Sequence, residues 1–285
     1  MIPTINLEAT GDNMRKLMDE RNMTVKDVAE GLGFGCVQGI YKWLHGRGLP
    51  SVDNLVGLSH IFQVRMEDIL VFRGEVNMTE YVKIPNIFKR ETFGKNKLIE
   101  GKYSLPELEY LKDAMWEFTE KIDGTNIRVC WDGYRVSFMG RTDKAQIPAH
   151  LLAKLEELFG GESKEELFEQ TFGKKEVILF GEGYGKKIQK GGELYGDVNF
   201  RLFDVLVDGY WLLQDNVDCI AEIFEIETAP FMFRGTLEQG VQFIKTHPKS
   251  LLRDAEMEGI VGRPMAQMFS RTGERIMVKI KCRDF

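Results

Sequence analysis

Residues 120–138 read EKIDGTNIRVCWDGYRVSF, and this stretch decides how the larger part of the chain is interpreted. An Asp-Gly pair at 123–124 leads into the strand-like run 126–131, and a second Asp-Gly pair at 132–133 separates that run from another at 134–138. An Asp-Gly pair between two strand-like runs is typical of a β-hairpin. The stretch therefore predicts a hairpin, with Lys121 at the turn that leads into its first strand.

The same alternation of strands and turns continues from about residue 76 to residue 285. Another Asp-Gly pair, at 208–209, separates two strand-like runs within 200–213. Hydrophobic periodicity predicts further helices and strands. The predicted helices are 105–118, 148–159, 163–171 and 235–246, and the further strands are 176–181, 258–262 and 275–281. This pattern predicts an α+β fold of mostly antiparallel sheets with flanking helices.

Residues 12–72 have a different pattern, that of short helices in quick succession. Asp12 is a candidate cap for the first helix, and Thr24 caps a second helix over 25–32. A glycine-containing turn then leads to a third helix, 36–44. Two short helices around such a turn are typical of a helix-turn-helix. We therefore predict two domains, a small all-α domain over 1–75 and the α+β domain over 76–285, with the boundary near Gly74.

Composition and charge exclude several classes of protein. The 285 residues are 43% hydrophobic and 29% charged, which is ordinary for a globular protein and excludes a disordered or fibrous chain. The net charge of −6 argues against a protein that coats nucleic acid by bulk positive charge. It does not exclude a local basic cleft. No run of about 18 apolar residues is present. We expect a cytoplasmic protein without membrane contact.

Four further stretches follow Lys121 in chain order and carry chemically useful side chains. They are FGEG at 180–183, FRLFDV at 200–205, EGIVGR at 258–263 and VKIK at 278–281. Each alone has an ordinary structural explanation, such as a turn or a strand with one solvated face. Together with the Lys121 turn and in this order, they resemble motifs I, III, IIIa, IV and V of the covalent nucleotidyltransferases, the nucleic-acid ligases and mRNA capping enzymes.

Two details make the resemblance most specific for the RNA ligases, in particular the group similar to RNA ligase 2. Asn126 stands where DNA ligases and capping enzymes typically carry an arginine, and Arg141 follows the first hairpin as in RNA ligases. This resemblance runs from about Tyr81 to residue 285. The stretch 24–70 separately resembles the Cro/repressor-type helix-turn-helix family.

The resemblance implies an ATP-dependent ligase whose nucleophile is Lys121. Its amine would attack the α-phosphorus of ATP, form a phosphoramidate-linked AMP and release pyrophosphate. A free lysine is protonated at neutral pH. The attack therefore requires burial, neighbouring cations or bound metal to remove that proton. Lys279 and Lys281 alternate on one predicted strand, so both amines project from one face. We expect them to repel charge on Lys121 and to hold the α-phosphate.

The resemblance also assigns the remaining ligand contacts, and the residue types suit these assignments. Glu182 would bind the ribose hydroxyls, Glu258 a divalent metal (Mg²⁺ or Mn²⁺) and Arg141 phosphate or ribose. Phe203 or Phe200 would stack on adenine, and we prefer Phe203 because it directly precedes Asp204. The other predicted nucleotide-binding positions are Glu120 and Ile122, beside the nucleophile, and Asn126, near the nick.

Nucleic-acid contacts are predicted at two places. In a DNA reader the third helix would put Gln38, Tyr41 or Lys42 into the major groove. Residues 1–75 hold eight basic and ten acidic side chains, however, so docking or dimerisation is an equal alternative. Lys186 and Lys187 either line a basic patch for the nucleic-acid backbone or lie in a solvated turn.

Three functions remain open at the level of the sequence. The leading one is an ATP-dependent RNA ligase that joins 5′-phosphate and 3′-hydroxyl ends in RNA repair, with nucleic-acid or partner contact through the N-terminal domain. The second is a minimal DNA nick ligase. The third is a helix-turn-helix regulator whose ligase-like domain senses a nucleotide, although a pure sensor has no need of the nucleophile Lys121.

Overall fold

The computed structural model describes residues 5–71, 80–91, 97–143, 145–271 and 273–285. The chain separates into two compact units, residues 1–78 and 79–285. The boundary predicted near Gly74 lies outside the described residues. Within the described ranges, no helix has the length and apolar character needed to cross a membrane.

The first unit is helical. Its described helices are α1 (Leu7–Asp19), α2 (Val25–Gly31), α3 (Gln38–Leu44), α4 (Val52–Phe62) and α5 (Met66–Ile69). Met14, Val28, Ile40 and Phe62 are fully buried and join these helices in one core. The pair α2–α3, separated by a short turn, has the predicted helix-turn-helix layout.

The starts of the first two helices test the capping predictions. Thr24 accepts a hydrogen bond from the Asp27 N–H, and the Asp27 carboxylate accepts one from the Thr24 N–H. This reciprocal capping box confirms the predicted cap. The cap predicted at Asp12 is wrong, because α1 begins at Leu7 and Asn6 caps it by accepting from the Ala9 N–H.

The second unit combines sheets and helices. Its described elements are β1 (Phe88–Arg90), β2 (Leu98–Tyr103), α6 (Pro106–Tyr110), β3 (Trp116–Glu120), β4 (Thr125–Trp131), β5 (Val136–Gly140), α7 (Ala149–Phe159), α8 (Glu162–Phe172), β6 (Val177–Tyr184), β7 (Asn199–Val207), β8 (Tyr210–Trp211), α9 (Gln214–Ile223), β9 (Glu227–Thr228), β10 (Phe231–Gly235), α10 (Leu237–Lys245), β11 (Gly259–Pro264) and β12 (Val278–Lys281). Both predicted hairpins are confirmed, since β4 pairs with β5 and β7 with β8.

Two sheets organise this unit. One has the order β5-β4-β6-β7-β8, with β9 beside β7, and the other has the order β10-β3-β11-β12. All pairings in them are antiparallel except that of β7 with β9, which confirms the predicted α+β fold of mostly antiparallel sheets. A small antiparallel pair, β1–β2, is separate from both.

Each large sheet packs one face against helices. Phe159 of α7, Phe168 of α8 and Val217 of α9 are buried against the first sheet. Val241 and Ile244 of α10 are buried against the second. Strand β3 belongs to the second sheet and β4 to the first, so the short connection 121–124 passes from one sheet to the other. Residues of both sheets line one cavity at this connection.

Candidate active site

The cavity beside the connection 121–124 has a volume of about 400 Å³. It is lined by predicted nucleotide-binding residues from both sheets and by residues of the segment 81–84. The predicted residues among them are Glu120, Lys121, Ile122, Asn126, Arg141, Glu182, Phe203 and Lys279. The cavity thus brings together side chains that are more than 150 residues apart in the chain. Its volume is that of a typical ligand pocket.

The backbone of the connection itself is held at three points. The Lys121 N–H donates to the Gly259 carbonyl at 2.9 Å, and the Asp123 N–H donates to the Tyr195 hydroxyl at 3.0 Å. A Cβ atom at Gly124 would lie 2.3 Å from the Gly183 carbonyl oxygen, so only glycine allows this approach. These contacts fix the position from which the Lys121 side chain extends.

The Lys121 ammonium is bound by a carboxylate that it shares with a second lysine. Glu258 accepts from Lys121 Nζ at 2.5 Å through Oε2 and from Lys281 Nζ at 2.7 Å through Oε1. Glu258 directly precedes β11, and Lys281 ends β12 opposite Gly259. Burial raises the pKa of the Glu258 carboxyl, but the two ammonium groups outweigh burial and hold this pKa below its ordinary value. Glu258 therefore joins the lysines of motifs I and V.

Lys279 lies in the same cavity, on the same face of β12 as Lys281. Burial is the main cause that lowers the pKa of Lys279 to about 8, and the charges of Lys281, Lys121, Lys83 and Arg141 add to the effect. Within the described part of the chain no carboxylate pairs with Lys279. The site therefore offers an anionic ligand an ammonium group that lacks a counterion.

Glu182 and Asn126 face each other across the β4–β6 pair. Burial raises the pKa of Glu182 to about 7, the Glu258 charge adds to the shift and Lys121 opposes it. Asn126 Oδ1 is buried and has no hydrogen-bond partner among the described residues. A buried oxygen without a donor is costly unless a ligand or water supplies one. This orphaned acceptor fits a bound nucleotide or nucleic-acid end.

Phe203, and not Phe200, faces the cavity. The Phe203 ring meets the Tyr81 ring edge-on at 5.0 Å, and the cavity next to it is lined by Ile122 and Ala229. Phe200 is 1% exposed and packs on the opposite side of the sheet, against Phe159 at 5.3 Å. The placement agrees with the preference for Phe203 as the adenine-stacking residue.

The Glu120 side chain is occupied elsewhere. Its carboxylate is 2% exposed and accepts from the Ser250 hydroxyl at 2.5 Å and from the Leu251 N–H at 2.9 Å. It thereby anchors the loop 250–253 to the end of β3. A nucleotide contact by Glu120 would have to use the backbone, because the side chain is committed to the loop.

A network that the sequence did not reveal supports the cavity wall. Asp204, 1% exposed, accepts from the Tyr81 hydroxyl at 2.7 Å and from the guanidinium of Arg275. Arg263 lies 3.5 Å from the same carboxylate and donates to the Phe203 carbonyl at 2.7 Å. The network holds the backbone of Phe203. No local signal could identify it, because the hydrogen bonds that Asp204, Arg263 and Arg275 form in it join residues 59 to 194 positions apart.

The predicted nucleic-acid residues lie outside this cavity. Lys186 and Lys187 are exposed in the turn after β6, and Lys186 pairs with Asp197 at 3.3 Å. Gln38 and Lys42 are exposed on α3 in the first unit, together with Tyr41 and His45. The structure thus presents Gln38 and Lys42 on one helix face, as a recognition helix requires.

The side chains of the site suit a divalent metal only if Glu258 binds it together with a substrate. Among the described residues, no group of three or more His, Cys, Asp or Glu side chains could hold a metal ion. Mg²⁺ in phosphoryl-transfer sites needs only one or two carboxylates, since water and substrate phosphates supply the other ligands. Glu258 meets this requirement when it exchanges one of its two ammonium partners for the metal.

Comparison with known proteins assigns the two units to families. Residues 114–281 match the model of the RNA ligase family, and residues 13–75 match the Cro/C1-type HTH DNA-binding domain. None of the curated proteins searched matches the chain.

Solved structures of an RNA ligase from Naegleria gruberi share the fold. An apo mutant and a mutant with AMP and Mn each show a TM-score of 0.52 and 17% identity, over 72% of this chain. Another mutant, with ATP and Mn, shows a TM-score of 0.50 and 16% identity, over 79% of this chain and 64% of its own. This chain spans 56% of the length of the first two. The RNA ligase model covers more than half of the residues, and the chain therefore belongs to the RNA ligase family, with a helix-turn-helix domain at its N-terminal end.

Proposed function

We propose that this protein is an ATP-dependent RNA ligase that acts in RNA repair through a covalent AMP on Lys121. The observation that carries the proposal is the meeting of Lys121, Glu258, Lys279 and Glu182 around one cavity beside Phe203. Membership of the RNA ligase family supports it, as do the ATP–Mn and AMP–Mn complexes of the structural neighbours.

In the first step, Phe203 and Ile122 enclose the adenine and Glu182 accepts from the ribose hydroxyls. Lys279 and Lys281 hold the α-phosphate and offset the negative charge that grows on it. Lys121 leaves Glu258, releases a proton to water and attacks the α-phosphorus. The bond from that phosphorus to the bridging oxygen breaks, and pyrophosphate departs with the electron pair. A divalent metal held by Glu258 and the phosphates would supply further charge neutralisation.

In the second and third steps, AMP moves from Lys121 to a 5′-phosphate end, and a 3′-hydroxyl then attacks that end and displaces AMP. Asn126 Oδ1 would accept from the incoming end, a role supported by its burial without a donor among the described residues. Arg141, which is exposed and lines the cavity, would contact its phosphate. Positioning and charge neutralisation are what such phosphoryl transfers need from the protein.

The first experiment tests the covalent intermediate. Protein freed of bound AMP with pyrophosphate is incubated with ATP labelled at the α-phosphate and Mg²⁺ or Mn²⁺, then run on a denaturing gel. We expect a labelled band for the natural chain and none for Lys121→Ala. Absence of label on folded natural protein would contradict the proposal and favour a nucleotide-sensing regulator.

The second experiment tests the choice of RNA. Nicked duplexes with a 5′-phosphate are offered with 3′-ribo or 3′-deoxyribo termini, and the sealed product is measured. We expect faster sealing of the ribo terminus. Equal or faster sealing of the deoxyribo terminus would favour a DNA nick ligase.

A further inference from the structure

A second cavity adjoins the one that Lys121 lines. It has a volume of about 340 Å³, which is within the range of small-ligand sites. Residues of both sheets and of the segments 264–268 and 275–277 line it, and the exposed Met265 is one of them. We call it the Met265 cavity, and the cavity described above the Lys121 cavity.

The pairing of β3 with β11 shows how the two cavities are related. Thr119 pairs with Val261, and both residues line the Lys121 cavity. Glu117 pairs with Arg263, and both residues line the Met265 cavity. Side chains two positions apart on a strand point to the same face, at a spacing of about 7 Å. The two cavities are therefore neighbours along one face of the second sheet, and Arg263 lines both of them.

The buried charges that line the Met265 cavity leave one positive charge in excess. The side chains of Arg263 and Arg275 are only 20% and 10% exposed, and both form an ion pair with the carboxylate of Asp204. Two guanidinium groups thus share one carboxylate. An excess of buried positive charge attracts an anion.

The other charges of the lining do not cancel this excess. Arg234 donates to the Glu117 carboxylate at 2.8 and 2.9 Å, so this pair is neutral. Asp215 is exposed at the start of α9, where water and salt screen its charge. The Met265 cavity therefore suits a ligand with a single negative charge better than a polyphosphate.

Arg263 also has a hydrogen-bond donor that lacks an acceptor. Its Nη1 donates to the Gln214 side chain at 2.7 Å, and its Nη2 donates to the Phe203 carbonyl at 2.7 Å. Its Nε is buried and has no acceptor among the described residues. A buried N–H without an acceptor is costly unless a ligand or water supplies one. A carboxylate is a suitable acceptor, because its hydrogen bond to a guanidinium is charge-assisted.

The remaining wall of the Met265 cavity is largely apolar. Leu213 and Met265 are exposed, whereas Pro264 and Met277 are buried. The apolar members of the lining include Leu212, Leu213, Pro264, Met265, Met268 and Met277. Unbranched methionine side chains adapt to the shape of an apolar ligand. This wall therefore suits a hydrocarbon ring or chain, whose burial stabilises the complex.

We infer that the Met265 cavity is a second ligand site, for a small monocarboxylate with an apolar ring or chain. The carboxylate binds Arg263 and Arg275, and the apolar part packs on Met265 and Met268. The inference does not depend on the proposed function, because no step of the reaction at Lys121 uses this cavity. A ligand bound here would contact Arg263, the residue that donates to the Phe203 carbonyl in the wall of the Lys121 cavity.

The first measurement locates the ligand, with phenylacetate as the probe. The full chain is labelled with ¹³C in its methionine methyl groups, and NMR spectra are recorded as phenylacetate is added. We expect the Met265 and Met268 signals, assigned from Met265→Leu and Met268→Leu, to shift in a saturable way at millimolar phenylacetate. The signals of Met14 and Met18, buried in the first unit, should not move. Unchanged Met265 and Met268 signals would overturn the inference.

Two analogues of the probe test the chemical class of the ligand. Phenylacetamide keeps the ring but lacks the charge, and loss of a charge-assisted hydrogen bond should weaken its binding about tenfold. Acetate keeps the charge but lacks the ring, and its binding should be weaker by at least about tenfold. Equal affinity for phenylacetate and phenylacetamide would contradict the role of the arginines. Equal affinity for acetate would contradict the role of the apolar wall.

Matched glutamate variants then test the position of the site. Met265, Met115 and Val82 are 48%, 51% and 46% exposed. Met265 lines the Met265 cavity, Val82 lines the Lys121 cavity, and Met115 lines neither. Repulsion between two carboxylates should weaken phenylacetate binding at least about tenfold in Met265→Glu, read from the Met268 signal. Binding to Met115→Glu and Val82→Glu should stay within about twofold of the natural chain.

Leu213→Glu provides a second variant of the same site on another segment. Leu213 is 56% exposed and lines the Met265 cavity, so we expect a loss of binding similar to that of Met265→Glu. Binding that both variants leave unchanged would overturn the inference. Loss of binding in Val82→Glu alone would also overturn it, because the probe would then lie in the Lys121 cavity.

Discussion

The cavity lined by Lys121 and the exposed face of α3 differ in how their polar side chains are held. In the cavity, Lys121 and Glu258 are 24% and 16% exposed and bind each other. On α3, Gln38 and Lys42 are exposed, and neither forms a side-chain hydrogen bond within the described residues. The first arrangement is held in place before a ligand arrives, whereas the exposed α3 side chains have no such partners among the described residues. Substitutions in the cavity should therefore have large, coupled effects and those on α3 small, separate ones.

The largest expected effect is on the buried network of the cavity wall. Asp204→Ala would leave Arg275 and Tyr81 without their acceptor, and removal of one partner of a buried ion pair costs about 3–5 kcal/mol. We expect a loss of this size in the free energy of unfolding, measured by urea denaturation. Asp215→Ala, exposed at the start of α9, is the control. A loss below about 1 kcal/mol would mean that the wall is not preorganised.

The pH dependence of lysyl-AMP formation is the next test. In the proposed mechanism Glu182 accepts from both ribose hydroxyls, which an ionised carboxylate does best, and burial raises its pKa to about 7, so activity should rise with pH through about 7. Lys279 must be charged to hold phosphate, and burial lowers its pKa to about 8, so activity should fall above that value. Label incorporation at saturating metal and low ATP gives this bell-shaped profile.

Two variants assign the limbs of that profile. Glu182→Gln should lower kcat/KM for ATP about tenfold and remove the acidic limb, because the amide does not titrate. Lys279→Arg should move the basic limb beyond the measured range, because a guanidinium stays charged. An acidic limb that persists in Glu182→Gln would assign it to another group.

A smaller effect is expected at Tyr195, which holds the turn of Lys121 through the Asp123 N–H. Tyr195→Phe removes this one hydrogen bond and should lower kcat for lysyl-AMP formation several-fold, on the order of 1 kcal/mol, without changing KM. Tyr210→Phe, at a residue that is 78% exposed, is the control. A rise in KM with unchanged kcat would show that Tyr195 acts on ATP binding instead.

The smallest effects are expected on α3. Gln38→Ala and Lys42→Ala should each weaken nucleic-acid binding only a few-fold, and Lys42→Ala should reduce the slope of log affinity against log salt by about one. Fluorescence anisotropy with labelled duplexes at several salt concentrations measures both. Lys26→Ala on α2 is the control, as an exposed lysine outside this face. Affinities that match the natural chain would favour docking or dimerisation for this domain.

The order of the motifs along the chain was enough to predict the residues that line the cavity, but not the buried hydrogen-bond network behind its wall. Lys121, Glu182, Phe203 and Lys279 each lie in a local pattern of strand and turn, and all four line the cavity. The hydrogen bond from the Tyr81 hydroxyl to the Asp204 carboxylate joins residues 123 positions apart, and no local pattern predicts it. Lys83 was also missed, since an isolated lysine in an exposed segment carries no signal of its own.

The errors in secondary structure have specific reasons. The predicted helix 105–118 is a short helix, Pro106–Tyr110, followed by strand β3. The alternation of buried Trp116 and Phe118 with Glu117 is a period-two pattern, but the preceding acidic helix masked it. Helix α9 was missed although Val217, Ile220, Ala221 and Phe224 recur at helical spacing. Both signals were present in the sequence, but the β3 signal was merged with the helix before it, and the α9 signal stands between strand-like segments.

Strand β12 lies between β11 and the segment 85–87, and this sets a limit on how the gene can change in length. Lys279 and Lys281 face the site, while Val278 and Ile280 are buried in the core. An insertion or deletion of one codon within this strand would exchange the two faces. Ile280 would then face the cavity, and the lysine ammonium groups would enter the core. We therefore expect changes in chain length to be tolerated less well within β12 than in the loops of this protein.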